Sequence, residues 1–317
     1  VFERVQSGNT DSQIVFGRQF NKAASKKLAA LRTVGARPNQ TFLAAAHTNL
    51  STADQGQEFS DVLRWFQASL CLVPPSQSIM PVGHLLADST DAQNFASELL
   101  RLASTGVSEL SVEKVKISKE QLLSILPKDL ASKILADIDE SEHGSGIVEF
   151  GTGNELLIEK KDKQQYYTIK IKAVHYQGGS SSELELKEES DGTKRLLQLV
   201  PALFQKNESE KNVYFIDEID RSLHPMLSWT FLEAFLASSR TRNSQLLLTT
   251  HETNLLDQRL FRRDEVWFAE KDKDGATSIY SLEEYRVRKD LELKKNYLRG
   301  RFGAIPYLGD ISRICEE

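Results

Sequence analysis

The sequence predicts an α/β fold with a mainly parallel sheet flanked by helices, an antiparallel β portion and a helical arm or insertion. Two apolar runs, 213–216 and 245–250, are typical of parallel strands that are covered on both faces. Helical periodicity over 192–204 and 223–236 places helices before and after the first run. Alternating apolar residues within 147–186 predict antiparallel strands.

Composition indicates an ordinary globular protein, with 40% hydrophobic and 27% charged residues. The net charge of −5 gives no general signal for nucleic acid. No apolar stretch approaches the ~20 residues of a membrane-spanning helix, so we expect no membrane association. Cys71 and Cys315 are far apart and in no metal-binding spacing. We therefore expect a reducing, cytoplasmic setting without disulfide bonds.

The chain divides into three predicted parts. Residues 1–89 are interpreted as the remainder of an N-terminal lobe that is mainly helical. Residues 90–146 are predicted to form a helical arm or lid with a short β-like interlude. Residues 147–317 follow a polar boundary and contain the strands and helices of the main lobe.

Several helices are predicted before the main lobe, the first a basic run over 22–32. Residues 54–72 have helical spacing of apolar residues, including Phe59 and Phe66, which indicates an amphipathic helix packed on the core. Two further helix starts have the capping-box pattern, at Thr90 and at Ser118, each with a glutamine three residues later.

Two carboxylates follow the first apolar run, where the strand would end. Open α/β sheets bind ligands outside the carboxyl ends of their strands. Asp217 and Glu218 would lie at that edge, one holding Mg²⁺ directly or through water and the next orienting or deprotonating a water. These groups are what nucleotide hydrolysis needs. The alternative is a strand that runs into an acidic surface turn.

A second candidate is the helix start that begins at Ser190. Ser190 or Asp191 would cap the helix, and Gly192 would let the backbone come close to a partner. Free N–H groups of the first turn and the helix dipole favour an anion such as phosphate. A simple N-cap is the alternative. His251 ends the second apolar run, and a structural or surface histidine is the alternative there.

The order of these motifs resembles the ATPase heads of the ABC superfamily. The sequence contains a Ser-x-Gly-Thr helix start, an apolar strand ending in Asp-Glu-Ile-Asp, then Ser-Leu-His-Pro, then a strand ending in His. This string is most similar to the RecF-like, SMC-like and OLD-like branch of AAA-type ATPases, which are associated with DNA repair and anti-phage defence. The resemblance covers about residues 147–310 and implies an ABC-ATPase-like head.

The resemblance implies a role for each motif. Asp217 would serve Mg²⁺, Glu218 would polarise the hydrolytic water, and His251 would contact the γ-phosphate of ATP. Four residues match the ABC signature motif and would face ATP held by a second subunit: Ser190, Asp191, Gly192 and Thr193. Three residues would belong to a D-loop between subunits: Asp220, Ser222 and His224. Asp191 departs from the usual Leu-Ser-Gly-Gly, and its carboxylate is unfavourable beside phosphate unless it points away.

One motif of the family, the Walker A loop, does not occur in the sequence. There is no Gly-x-x-x-x-Gly-Lys-Ser/Thr and no Gly-Lys pair. Three interpretations stay open: the first lobe lies outside the chain, another polypeptide supplies the loop, or the site has degenerated. We favour the first, because the start at Val1 lacks an initiator methionine. We expect weak or no ATP binding by the chain alone.

Together these features imply an ATPase subunit that forms a head-to-head homodimer, or a higher homo-oligomer, around ATP and Mg²⁺. A separate effector protein would be its partner in phage defence or DNA surveillance. One alternative is a SMC-like or RecF-like DNA-repair ATPase that binds DNA through residues 286–301, where seven basic residues outnumber two acidic ones. The other is a non-hydrolytic ABC-like scaffold.

Overall fold

The computed structural model describes residues 2–7, 11–16, 25–34, 40–75, 80–126, 145–150, 154–161, 165–204, 211–239, 243–285 and 293–305. They form a mixed α/β fold with a parallel sheet, separate antiparallel sheets and helices, which confirms the predicted fold class. Within this part of the chain, no helix combines the length and the apolar composition that a bilayer span needs.

The strands are β1 (Phe2–Ser7), β2 (Asp11–Phe16), β3 (Leu70–Val73), β4 (Glu109–Ile117), β5 (Ser145–Phe150), β6 (Asn154–Lys161), β7 (Gln165–Gln177), β8 (Ser180–Glu185), β9 (Val213–Ile216), β10 (Gln245–Leu248), β11 (Trp267–Lys271) and β12 (Thr277–Ser281). The α-helices are α1 (Lys26–Val34), α2 (Phe42–Asn49), α3 (Thr52–Gln55), α4 (Gln57–Arg64), α5 (Met80–Asp88), α6 (Thr90–Leu102), α7 (Lys119–Ile125), α8 (Asp191–Leu203), α9 (Pro225–Ser239) and α10 (Leu293–Leu298).

The chain divides into two compact units. The first contains Val1–Leu72, Ser209–Phe215 and Asn243–Leu247, and the second contains the remaining residues. In the first unit, β1 and β2 form an antiparallel hairpin that the sequence reasoning did not predict. Helices α1 to α4 of this unit enclose a core that includes Leu28, Phe42 and Phe59.

The parallel sheet contains both strands that the sequence singled out. Its order is β10-β9-β3, so β9 is the central strand. The Gln245 amide donates to the Asn212 carbonyl at 2.9 Å. Four residues further along both strands, the Thr249 amide donates to the Ile216 carbonyl at 3.0 Å. Because both strands advance together, β9 and β10 are parallel.

One face of this sheet is partly exposed. The Asp217 amide donates to the Val73 carbonyl at 3.0 Å, so the carboxyl ends of β3 and β9 lie side by side. Leu72, Phe215 and Leu247 are therefore neighbours on one face, and they are 58%, 36% and 48% exposed. The interpretation of the two apolar runs as strands buried on both faces is wrong, because burial alternates along β9 and β10.

The antiparallel sheet has the order β4-β7-β6-β5, and β8 also pairs with β7. The predicted hairpin of β5 and β6 is confirmed. β4 pairs with β7 along its whole length, from Glu109 opposite Val174 to Ile117 opposite Tyr166. The segment predicted as an arm thus contributes a strand to this sheet. The division of the chain at 89/90 and 146/147 stays a prediction.

The predicted helix over 54–72 is broken into several elements. Helix α4 is followed by a π-helical turn over Trp65–Ser69 and then by β3. Phe59 is fully buried as predicted, but Phe66 is 49% exposed. The run Leu-Cys-Leu-Val forms a strand beside β9, so tertiary pairing overrides the helical spacing of its apolar residues.

The capping contacts confirm one of the two predicted helix starts. Ser118 caps α7 through a reciprocal pair with Gln121, at 3.2 Å and 3.0 Å. Helix α6 starts one residue earlier than predicted, because the Ser89 hydroxyl, and not that of Thr90, accepts from the Ala92 amide at 3.2 Å. The capping box at Thr90 is therefore wrong.

We predict that Leu197→Ala destabilises the protein by about 2–5 kcal/mol, because Leu197 is fully buried on α8 and truncation leaves a cavity. Leu102→Ala is the matched control, since Leu102 on α6 is 69% exposed; we expect a change within about 0.5 kcal/mol. Urea unfolding measures both. Equal losses in the two variants would contradict the assignment of α8 to the core.

Candidate functional site

The carboxyl edge of the parallel sheet brings Asp217 and Glu218 against the end of β10. The Thr249 hydroxyl donates to Asp217 Oδ1 and accepts from the Glu218 amide at 2.8 Å. The Ile219 amide donates to the Thr249 carbonyl at 3.1 Å. One threonine therefore holds the side chain of the first carboxylate and the backbone of the second.

Glu218 has a left-handed backbone conformation, with φ at 47°. Non-glycine residues rarely adopt this region, and surrounding contacts must maintain it. Here the Glu218 carbonyl accepts from the Arg221 amide at 3.0 Å. The Glu218 carboxylate is 39% exposed and lies 3.5 Å from the Arg221 guanidinium. Glu218 thus projects from a tightly bonded turn towards solvent, where a water can reach it.

Asp220 connects the same turn to the residues that follow β10. Its Oδ1 accepts from the Thr250 hydroxyl at 2.5 Å and from the His251 amide at 3.2 Å. The His251 side chain is exposed. The backbone amide of His251 is therefore bonded to Asp220 of the predicted D-loop.

Ser190, and not Asp191, caps α8. Its hydroxyl accepts from the Thr193 amide at 3.1 Å and lies 2.9 Å from the Thr193 hydroxyl. Thr193 is buried, and its hydroxyl takes part in this cap. The Asp191 side chain is 83% exposed and lies 3.7 Å from the Lys194 ammonium, which shows how the chain tolerates an acid in this position.

Gly192 meets the predicted D-loop of its own chain. A Cβ atom at Gly192 would lie 2.9 Å from the Ser222 carbonyl oxygen. Ser222 itself has a φ of 60°. Gly192 therefore joins the start of α8 to the turn that carries Glu218 within one chain. Its close approach to a partner stays a prediction.

A buried glutamate precedes the cap and forms a hydrogen bond with a histidine. Glu189 is 8% exposed, and its Oε1 lies 2.6 Å from His175 Nε2 on β7. This contact attaches the start of α8 to the antiparallel sheet. His224 has a similar structural use, because its Nδ1 accepts from the Met226 amide at 3.2 Å in the first turn of α9.

Sequence reasoning assigned no role to three residues of this edge: Thr249, Thr250 and Arg195. The two threonines follow a predicted strand and directly precede His251. That position is the signal in the sequence that could have identified them as site residues. Arg195 lies on the buried face of α8 and donates to the carbonyls of Asp217 and Glu218. No pattern in the sequence indicates that contact, since it joins segments far apart in the chain.

The residues of this edge fit a Mg²⁺ ion that arrives with a nucleotide. Among the described residues, no group of three or more His, Cys, Asp or Glu side chains could hold a metal. Mg²⁺ usually takes one or two protein carboxylates and completes its shell with water and substrate phosphates. Asp217, half-buried and oriented by Thr249, is a suitable carboxylate for such a shell.

Two predictions fall partly outside the described residues. Residues 286–292 of the basic segment and Cys315 are among those not described. In the described remainder, Lys294 donates to the Asn254 side chain, whereas Arg299 and Arg301 are exposed.

Comparison with known families identifies the domain. Residues 54–257, well over half of the chain, match the family described as "AAA domain, putative AbiEii toxin, Type IV TA system". The chain belongs to this AAA domain family. The matched range includes α8, the Asp217–Glu218 edge and His251. An AAA domain is an ATPase-type nucleotide-binding domain. A search of curated proteins found no match to the chain.

We predict that Thr249→Val lowers the free energy of unfolding by about 1–2 kcal/mol, because the Glu218 amide and the Asp217 carboxylate lose their shared partner. Thr249→Ser keeps the hydroxyl and serves as the matched control. Urea unfolding of both AAA domain variants tests this. A valine variant as stable as the serine variant would show that the hydroxyl is dispensable.

Gly192→Ala is expected to destabilise the protein by about 1–3 kcal/mol, since the new methyl group would overlap the Ser222 carbonyl. The direction of the change in stability is informative, because alanine in an unobstructed helix would instead stabilise the protein by about 1 kcal/mol. Asp191→Ala, at the exposed neighbouring position, is the control. Thermal unfolding measures both, and a stabilised alanine variant at 192 would refute the close contact.

Proposed function

We propose that this chain is the ATP-hydrolysing subunit of a bacterial defence or DNA-surveillance complex. It would form a head-to-head homodimer or a higher homo-oligomer through ABC-type ATPase heads and control a separate effector protein. The family description names a toxin of a type IV toxin–antitoxin system, which supports a defence setting over housekeeping metabolism.

The observation that carries this proposal is the shared edge of Asp217, Glu218, Asp220 and His251. Phosphoryl transfer needs positioned carboxylates and neutralised charge more than it needs covalent chemistry. At this edge Asp217 and Asp220 are held by the threonines after β10, and Glu218 stands in a turn that exposes its carboxylate. The left-handed backbone of Glu218 also favours a functional turn over an ordinary acidic one, because such conformations cluster at functional sites.

Each residue has a proposed task in hydrolysis. Asp217 would hold the Mg²⁺ ion of the nucleotide, which neutralises charge on the phosphate oxygens. Glu218 would orient the attacking water and accept its proton. His251 would contact the terminal phosphate. Ser190 and Gly192 at the start of α8 would receive the terminal phosphate of ATP held by a second subunit.

The glycine-rich, lysine-containing loop that cradles phosphates does not occur in the 317 residues. We propose that this part of the site comes from outside them, and that the chain alone binds ATP weakly. Activity measurements therefore require the native protein or complex that contains this chain. This requirement follows from chemistry, because the developing charge needs backbone amides and a lysine beside the phosphates.

Glu218→Gln is expected to reduce kcat for ATP hydrolysis in the native complex by about 100-fold or more, with ATP binding retained, since the amide cannot accept a proton. Glu233→Gln, an exposed glutamate on α9, is the matched control and should keep wild-type activity. Phosphate release and nucleotide binding are the readouts. Unchanged turnover in the Glu218 variant would refute the catalytic assignment.

A further inference from the structure

Arg195 is a buried arginine on the helix that begins at the Ser190 cap. It is 3% exposed and lies on the face of α8 that also carries Leu196 and Leu199. Arginine is almost never buried to this extent unless its donors are paired. The partners of Arg195 therefore indicate why a charged side chain is retained in the core.

The guanidinium bonds mainly to backbone carbonyls at the carboxyl edge of the parallel sheet. Nη2 donates to the Asp217 carbonyl at 2.7 Å and to the Glu218 carbonyl at 3.0 Å. Nη1 donates to the Pro74 carbonyl at 3.1 Å and to Gln198 Oε1 at 3.0 Å. The Pro74 carbonyl follows β3, so one side chain joins the ends of two neighbouring strands to α8.

The shape and charge of arginine suit this position. Carbonyls that leave a sheet at strand ends need new donors when they are buried, and the planar guanidinium presents several donors in fixed directions. Burial lowers the pKa of Arg195, the Arg221 charge lowers it further, and the carboxylates of Asp217, Asp220 and Glu218 oppose that shift. Arginine nevertheless stays protonated in proteins, so a permanent positive charge lies beneath the three acids.

We propose that Arg195 is a positioning residue of the ATPase site, which holds the Asp217–Glu218 backbone and couples it to the start of α8. This inference rests on the proposed function. Two successive peptide groups are held from opposite sides, because Arg195 binds the carbonyls of Asp217 and Glu218 while Thr249 binds the amides of Glu218 and Ile219. Those contacts maintain the left-handed Glu218.

The coupling follows from the two places at which α8 meets the turn. Gly192 contacts Ser222 at one point, and Arg195 binds Asp217 and Glu218 at the other. A displacement of α8 when Ser190 and Gly192 engage a second subunit would therefore move the backbone that carries Glu218. Arg195 makes hydrolysis sensitive to the state of the dimer interface.

The first test does not need nucleotide. In Arg195→Lys and Arg195→Met, amide hydrogen exchange of Asp217, Glu218 and Ile219 should speed up about tenfold, the factor expected for loss of one typical hydrogen bond. Exchange in the core of α9, at Phe231 and Leu232, should stay at the wild-type rate. Arg263→Lys is the matched control, because Arg263 donates to the Tyr285 carbonyl instead; it should leave exchange at the edge unchanged.

The second test measures ATP hydrolysis by the native complex. Arg195→Lys should lower kcat about 10–100-fold with KM for ATP within about threefold of wild type, as expected for a misplaced catalytic group with intact binding. Arg263→Lys should keep both constants. ATP hydrolysis that does not depend on Glu218 would refute the catalytic assignment on which this inference rests, and the exchange experiment would then test separately whether Arg195 holds the 217–219 backbone.

Three results would overturn the inference. Wild-type exchange at residues 217–219 in both variants would show that Arg195 does not hold the edge. Faster exchange throughout α8 and α9, with a matching fall in Tm, would show a general role in stability. Local exchange that rises without any change in kcat, in a complex whose hydrolysis depends on Glu218, would show that the contact does not position the catalytic carboxylate.

Discussion

The candidate site depends on the peptide group between Asp217 and Glu218, which is bonded on both sides. Its carbonyl accepts from Arg195 and its amide donates to Thr249. The next peptide group is bonded in the same manner, at the Glu218 carbonyl and the Ile219 amide. A strand that leaves a sheet normally exposes such groups to water. Here side chains and backbone from two other segments replace the water and keep Glu218 in a left-handed conformation.

The backbone of the candidate site is held by hydrogen bonds, whereas its Glu218 and His251 side chains are exposed. The backbone under the carboxylates is bonded to α8 and to the end of β10, while the Glu218 carboxylate and the His251 side chain face solvent. Catalytic groups work best when their own positions need no reorganisation during the reaction. A hydrogen-bonded turn beside a partly exposed carboxylate and an exposed histidine satisfies that condition for the proposed hydrolysis.

Much of the fold was predictable because its signals are local. Ser118 and Ser190 cap helices through residues three positions away, and the alternation within β7 and the β5–β6 hairpin follows from period two. The wrong predictions concern residues whose secondary structure or burial depends on contacts with distant parts of the chain. Leu70–Val73 has helical spacing but pairs with β9, and Phe215 lies in an apolar run but on an exposed face. Neither outcome can be inferred from neighbouring residues alone.

By itself, the sequence determined the α/β class, the Asp-Glu pair after an apolar strand, a helix cap at Ser190 or Asp191 and the order of motifs that places the chain among AAA-type ATPases. Only the tertiary structure decided what holds them together. In the sequence Arg195 and Thr249 look like ordinary helix and strand residues, because the Asp217 and Glu218 groups that they bind lie more than twenty residues away in the chain. Local patterns indicate which chemical groups are available, whereas packing decides which groups meet.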